Sequence, residues 1–148
     1  MKQIEIIKPD DWHVHFRDNK IMNAVVPETT RHFARAIIMP NLNPPILNGK
    51  QATEYKQRIK KATPKTDNFE PLMTIYLTEK TSKNELKESY INRDVFAAKL
   101  YPAGATTNSD SGVKNIKKIM PVLETMANIG MPLLIHGEVT HKEVDIFD

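Results

Sequence analysis

The chain has 148 residues, 40% hydrophobic and 26% charged, which excludes collagen-like and disordered classes and is enough for one domain with a substantial core. Its net charge of +3 is mild. The basic residues Lys56, Arg58, Lys60, Lys61, Lys65, Lys80, Lys83 and Lys87 are mostly interleaved with acidic ones, which describes solvated helix faces and not a nucleic-acid footprint. Without cysteine there is no disulfide framework, and any metal must be held by nitrogen and oxygen ligands. The N-terminal stretch carries charge inside its apolar residues and does not read as a signal peptide, and no run approaches the ~20 apolar residues of a membrane span. The expectation is a cytoplasmic soluble protein without nucleic acid or membrane partners.

In chain order, short apolar runs alternate with longer amphipathic stretches. Strands are expected at residues 12–16, 34–39, 72–77, 95–101 and 132–136, each bounded by Pro, Asn, Asp or Gly. The unbroken apolarity of Ala36-Ile37-Ile38-Met39 suits a strand covered on both faces, as in parallel sheets. A partly helical stretch over 19–33 follows the first strand, with Pro27 and Glu28 restarting it. Helix formers fill 51–62, and 82–90 opens with Ser82 three residues before Glu85, a capping-box spacing. Residues 113–129 place Ile116, Ile119, Met120, Leu123 and Met126 on one stripe ended by Gly130, with a kink or break expected at Pro121. Strand and helix repeat about four times and close on a fifth strand. That order implies a parallel α/β sheet with right-handed crossovers, either open and doubly wound or a (β/α) barrel.

The sharpest local feature is Asp11-Trp12-His13-Val14-His15-Phe16-Arg17-Asp18. Strand alternation sends His13, His15 and Arg17 to one face, where two imidazoles at i and i+2 can chelate one divalent ion. Arg17, one pleat further, can grip a carboxylate in a two-pronged contact. The same pair also suits two solvated or core histidines. Lys99 interrupts the apolar run Phe96-Ala97-Ala98-Lys99-Leu100-Tyr101. It is either a lysine snorkelling from a strand end or a desolvated amine able to take up carbon dioxide as a carbamate with two metal-binding oxygens. His136 ends a third apolar strand before Gly137, as a ligand or as a buried, hydrogen-bonded histidine. Asn41 follows a fourth, as a site group or as an ordinary turn former. His32 and His141 lack this context and are read as surface residues. Ligand-type side chains thus terminate three separate strands, and the C-terminal strand ends are where barrel enzymes build their sites.

Four blocks in this order resemble one family: residues 9–18, Met39-Pro40-Asn41-Leu42, Ala98-Lys99-Leu100-Tyr101-Pro102-Ala103 with Ala105-Thr106-Thr107-Asn108, and 131–141. They are similar to the shorter, pyrimidine-biosynthetic bacterial dihydroorotases of the amidohydrolase superfamily, from about residue 4 to the end of the chain. The resemblance implies a (β/α)₈ TIM barrel with two Zn²⁺ bridged by N-carboxylated Lys99 and a hydroxide. It implies His13 and His15 as ligands of the more buried metal and His136 as a ligand of the second. Arg17 and Asn41 match the pair that grips the substrate carboxylate, and Thr106 and Thr107 lie on a mobile loop that closes over substrate. Tyr101 has a supporting role. The implied reaction is reversible hydrolysis of dihydroorotate to N-carbamoyl-aspartate, by a homodimer when complete.

A complete barrel of this kind needs about 250 residues. The expectation is that residues 1–148 form the N-terminal part of a single barrel domain, inactive alone and with open strand edges. The resemblance also implies a further metal-ligating histidine and a general-base aspartate from later strands. Neither has a counterpart here, so this chain supplies no catalytic residue of that kind, and Asp145 and Asp148 are not assigned the role. Two other readings remain: a non-catalytic, dihydroorotase-like scaffold or subunit partner, and a hydrolase of another cyclic amide such as a hydantoin or allantoin.

Overall fold

The computed structural model of the chain describes residues 3–138 and 144. The first strand, β1 (Asp10–Val14), pairs with β2 (Arg35–Ile38), and β2 pairs with β3 (Glu70–Leu72). Beyond Met73 the chain continues as β4 (Thr74–Tyr76), which pairs with β5 (Ala97–Leu100), which pairs with β6 (Leu133–Ile135). Every pairing is parallel, and strand order follows chain order without reversal. Four helices lie between them: α1 (Asn19–Thr30), α2 (Gly49–Ala62), α3 (Lys83–Ile91) and α4 (Ile116–Ile129). Each helix packs on the next in sequence. A doubly wound sheet needs a point where strand order reverses. This chain has none among its described residues, which removes that alternative and leaves consecutive units of a (β/α) barrel.

The expected third strand, 72–77, is in fact two pieces, and the hydrogen bonds show why. Up to Leu72 it pairs with β2. At Thr74 the side-chain hydroxyl, not a backbone N–H, donates to Ile38 O at 2.5 Å. The Tyr76 N–H then turns to Ile46 O at 2.8 Å, in the loop before α2. The ladder to β2 therefore ends while pairing with β5 begins. The first strand also differs from expectation, running Asp10–Val14 instead of 12–16. His15 thus lies one residue past its end.

Helix starts follow local chemistry. Asp18, Asn48, Ser82 and Asn115 each accept a backbone N–H from the first turn of α1 to α4 respectively. The Ser82–Glu85 spacing is thereby confirmed as a cap, while Gln51 Oε1 reaches back to the Leu47 N–H at 2.7 Å. Gly130, at φ 69°, closes α4 in the left-handed region that favours glycine. Two expectations fail here. The helix begins at Ile116, not 113, because Val113 is taken by a bridge to Pro102. Neither Pro121 nor Pro27 interrupts its helix, so α1 has no restart. The buried stripe of α4 is Ile119, Val122 and Met126, spanning Pro121, while Ile116 and Met120 are exposed. Burial of that stripe outweighs the single backbone bond that proline forfeits.

One hydrophobic cluster joins Val26 of α1, Tyr55 and Ile59 of α2, Leu86 of α3 and Ile119 and Met126 of α4 to Ala36, Ile38, Ile75 and Ala98 of the strands. Three of the five basic residues of α2 are partnered as helix-face charges: Lys56 and Lys60 with Glu70, and Arg58 with Asp18. No helix among the described residues is long and apolar enough to cross a membrane. The edge strands β1 and β6 carry exposed Trp12 and Ile135. His32 is exposed in the turn after α1; His141, Asp145 and Asp148 lie outside the described residues.

Candidate active site

The site begins with a bend in β1. The His13 N–H donates to the Asp11 carboxylate at 2.9 Å, and the β1–β2 register shifts between Asp11 and Val14. The imidazoles of His13 and His15 consequently converge, with Nε2 atoms 3.1 Å apart and ring centroids 5.1 Å apart. That separation fits one N–H···N hydrogen bond. It also fits two ligands of one tetrahedral ion, whose ~2.0–2.1 Å bonds put them roughly 3.3 Å apart.

Burial holds the His15 pKa down at about 4, with the Arg17 and His13 charges acting in the same direction and the Asn41 amide opposing. His13 is lowered as well, mainly by burial and then by the Lys99 charge. Both rings are neutral at pH 7 and keep a lone pair for a ligand. A stability prediction follows from the sign. The unfolded His15, near 6.5, binds its proton more tightly than the folded one. This contribution is therefore complete above pH 6.5 and is lost as pH falls towards 4. In metal-free protein, His15→Gln should flatten the decline in melting temperature across that window. Identical pH profiles for the two proteins would contradict it.

Arg17 does not continue the pleat as expected. It sits past the strand with φ 58°, a left-handed conformation, and its carbonyl accepts the Tyr55 hydroxyl at 2.6 Å. Arg58 stacks over the Tyr55 ring at 5.1 Å and forks onto Asp18 at 3.0 and 3.2 Å. Tyr55 and Arg58, one turn apart on α2, thus hold the Arg17 carbonyl and the Asp18 carboxylate respectively.

Lys99 is 2% exposed on a strand whose four residues are all buried, and its register partners are Tyr76 and Leu134. Among the described residues no carboxylate pairs with it; its Nζ lies 5.3 Å from the Tyr101 ring centroid. Burial lowers its pKa, which favours the neutral amine. His136 follows β6, its ring 5.9 Å from that of Tyr101, and its Nε2 is within 2.6 Å of Glu138. Asn41 is 2% exposed after β2. Its Nδ2 donates to Thr107 O at 2.9 Å, and Asn108 Nδ2 donates back to Asn41 O at 3.0 Å. This clasp seats the loop between β5 and α4, which carries Thr106 and Thr107, against the strand ends.

One tyrosine was missed in the sequence. Tyr76 is fully buried and stacks on Tyr101 with centroids 5.0 Å apart. An aromatic residue ending an apolar strand reads as core, and nothing in the sequence separates it from core. Burial pushes both phenols up, Tyr76 to about 12, so each keeps its proton.

Two clefts, of about 650 and 640 Å³, lie elsewhere. One is at the N-terminal strand ends beside Glu70 and Arg93, and the other is beside Thr78 and Ser111. Neither includes the histidine pair. Among the described residues no three His, Cys, Asp or Glu side chains converge as a metal site. The candidate set is instead two neutral imidazoles with the buried Lys99 amine of β5, whose charge is felt at His13. Its fit to a metal rests on the facing Nε2 atoms and on burial holding both imidazoles in the form that keeps a lone pair.

Parallel strand–helix units that bring His13, His15, Lys99 and His136 to their C-terminal ends place this candidate site where barrel enzymes build theirs. The amidohydrolase family profile matches residues 6–147, and the chain belongs to that family. It is 57% identical over 147 residues to a dihydroorotase of Ruegeria pomeroyi and 57% identical over 148 to one of Rhizobium meliloti. It covers 99% and 100% of itself in those matches but only 42% and 43% of the relatives' length. Among solved structures, the dihydroorotase of Campylobacter jejuni matches with TM-score 0.82 at 42% identity, over 90% of this chain and 39% of that one. Dihydroorotase from Saccharomyces cerevisiae, in complex with 5-fluoroorotic acid, matches with TM-score 0.82 at 32% identity, over 93% and 38%. An Arthrobacter aurescens L-hydantoinase, at 14% identity and TM-score 0.67, shares the fold. The barrel architecture read from the sequence is borne out.

Proposed function

We propose that the complete polypeptide carrying this segment is a metal-dependent dihydroorotase that interconverts dihydroorotate and N-carbamoyl-aspartate in pyrimidine biosynthesis. The observation that carries the reading is Lys99. A buried amine without a carboxylate partner among the described residues, on β5 and close enough to the histidine pair for its charge to be felt at His13, is costly unless something binds it. The 57% identity to dihydroorotases supports the choice within the family.

His13, His15, Lys99 and His136 are the residues of this chain that would hold divalent ions, two zincs in the reading favoured here. Bound there, the metals would polarise an amide carbonyl and lower the pKa of a water. The chain's own groups do the rest. Neutral His13 and His15 present lone pairs without first losing a proton. Burial shifts Lys99 towards its amine form, whose lone pair can add to carbon dioxide to give a carbamate with release of one proton. Arg17, braced by Tyr55, and Asn41 would hold a substrate carboxylate and so fix the carbonyl to be attacked. The Thr106–Thr107 loop, seated on Asn41, would keep water from the bound substrate. A cytoplasmic homodimer is the expected form.

The test uses the complete polypeptide. It should carry two zinc equivalents and hydrolyse dihydroorotate in preference to hydantoin, and His13→Ala should lower kcat/KM by at least about 1,000-fold. Preference for hydantoin would reassign the substrate. Absence of both metal and turnover would favour a scaffold.

A further inference from the structure

Among the described residues, five buried side-chain atoms lack any hydrogen-bond partner: His15 Nδ1, Arg17 Nη1, Asn41 Oδ1 and the hydroxyls of Tyr76 and Tyr101. All belong to residues at or just beyond the C-terminal ends of strands, and the first three are already part of the site. We propose that Tyr76 and Tyr101 are ligand-binding residues of this site, whose hydroxyls donate hydrogen bonds to a carboxylate-class oxyanion of the bound ligand. The proposal rests on the dihydroorotase reading for its ligand class.

The sheet puts these two residues where such a role needs them. Tyr76 is the register partner of Lys99, so their side chains share a face. Tyr101 follows Lys99 by two residues, and its ring centroid lies 5.3 Å from Lys99 Nζ and 5.9 Å from the His136 ring. The rings stack at 5.0 Å and are 0% and 1% exposed, so the hydroxyls come on rigid supports with little entropy left to lose on binding. Arg17 is close enough for its charge to be felt at the Tyr101 hydroxyl. Two phenylalanines would fill the same volume and leave nothing unsatisfied. What the hydroxyls add is two donors in a dry, cation-lined place, at the full desolvation cost of each. A ligand oxyanion removes that cost and gains charge-assisted bonds.

The role predicts opposite signs for stability and binding. In the complete polypeptide, Tyr76→Phe and Tyr101→Phe should each leave the ligand-free melting temperature unchanged or raise it by about 2 °C. Each should weaken binding of 5-fluoroorotic acid, measured by titration calorimetry, about tenfold, with zinc content unchanged. A lower ligand-free melting temperature in either variant would show that the hydroxyls serve the fold, through a bound water or otherwise, and overturns the proposal. Unchanged affinity in both variants, with wild type binding normally, removes the tyrosines alone. Failure of the wild type to bind any carboxylate overturns the dihydroorotase reading and this proposal together.

Discussion

Lys99→Met in the complete polypeptide should abolish turnover, by at least about 1,000-fold, and raise the melting temperature of the metal-free protein by a few degrees. The two effects share one cause. Lys99 is 2% exposed, between buried Ala98 and Leu100, and has only an aromatic face near its ammonium. Burial lowers its pKa, so the metal-free fold holds an amine it would prefer uncharged. Methionine matches the apolar stem and deletes the nitrogen, removing the desolvation cost that burial imposes on the charged form. If Lys99 were a snorkelling strand-end lysine, the same change would alter neither turnover nor metal content. Zinc analysis and kinetics on the purified variant separate the cases. Restoration of activity to Lys99→Ala by acetate would further tie the role to a carboxylate-like group.

Some of this site is legible in the sequence because contrast makes it so. A lysine inside Phe96-Ala97-Ala98-Lys99-Leu100-Tyr101 and histidines at a two-residue spacing are visible against apolar strands, and strand geometry converts them into a shared face. The barrel is legible only as one of two options, since strand–helix alternation fits both. Strand order decides it, through pairing between segments far apart in sequence. The irregularities are not legible at all. The bend at Asp11 that lets His13 and His15 converge depends on one side chain taking a backbone donor. The left-handed Arg17 depends on Tyr55, which is 38 residues away. The break at Met73 depends on Thr74 and Ile46 claiming the groups that a regular ladder would pair. Pro121 misleads for the opposite reason: its local penalty is real, but tertiary burial of Ile119, Val122 and Met126 is larger. Tyr76 is invisible because a satisfied core tyrosine and an orphaned one have the same letter.

Gly112→Ala should disable the loop that carries Thr106 and Thr107 without unfolding the barrel. A Cβ at Gly112 would lie 2.5 Å from Tyr101 O, 2.9 Å from Ser109 O and 3.0 Å from Ala103 N. All three are backbone atoms, so no side-chain rotation relieves the contact. They form the neck of the loop, where the Val113 N–H donates to Tyr101 O at 2.8 Å and the Ala103 N–H to Val113 O at 3.1 Å. Opening that neck costs about 2–4 kcal/mol locally and releases the Asn41–Thr107 and Asn108–Asn41 bonds that seat the loop. In the complete polypeptide, on the dihydroorotase reading proposed above, the expected results are new protease cleavage within residues 103–112 and at least tenfold weaker binding of 5-fluoroorotic acid. Far-UV circular dichroism should change little. Gly104→Ala is the matched control. At φ 77° it carries backbone strain of about 1 kcal/mol, but its Cβ meets nothing within 4 Å. Affinity should therefore fall far less in Gly104→Ala than in Gly112→Ala, because only the second forces backbone atoms of the neck apart. Equal losses in the two variants would mean that loop flexibility in general, and not closure of this neck, governs ligand retention.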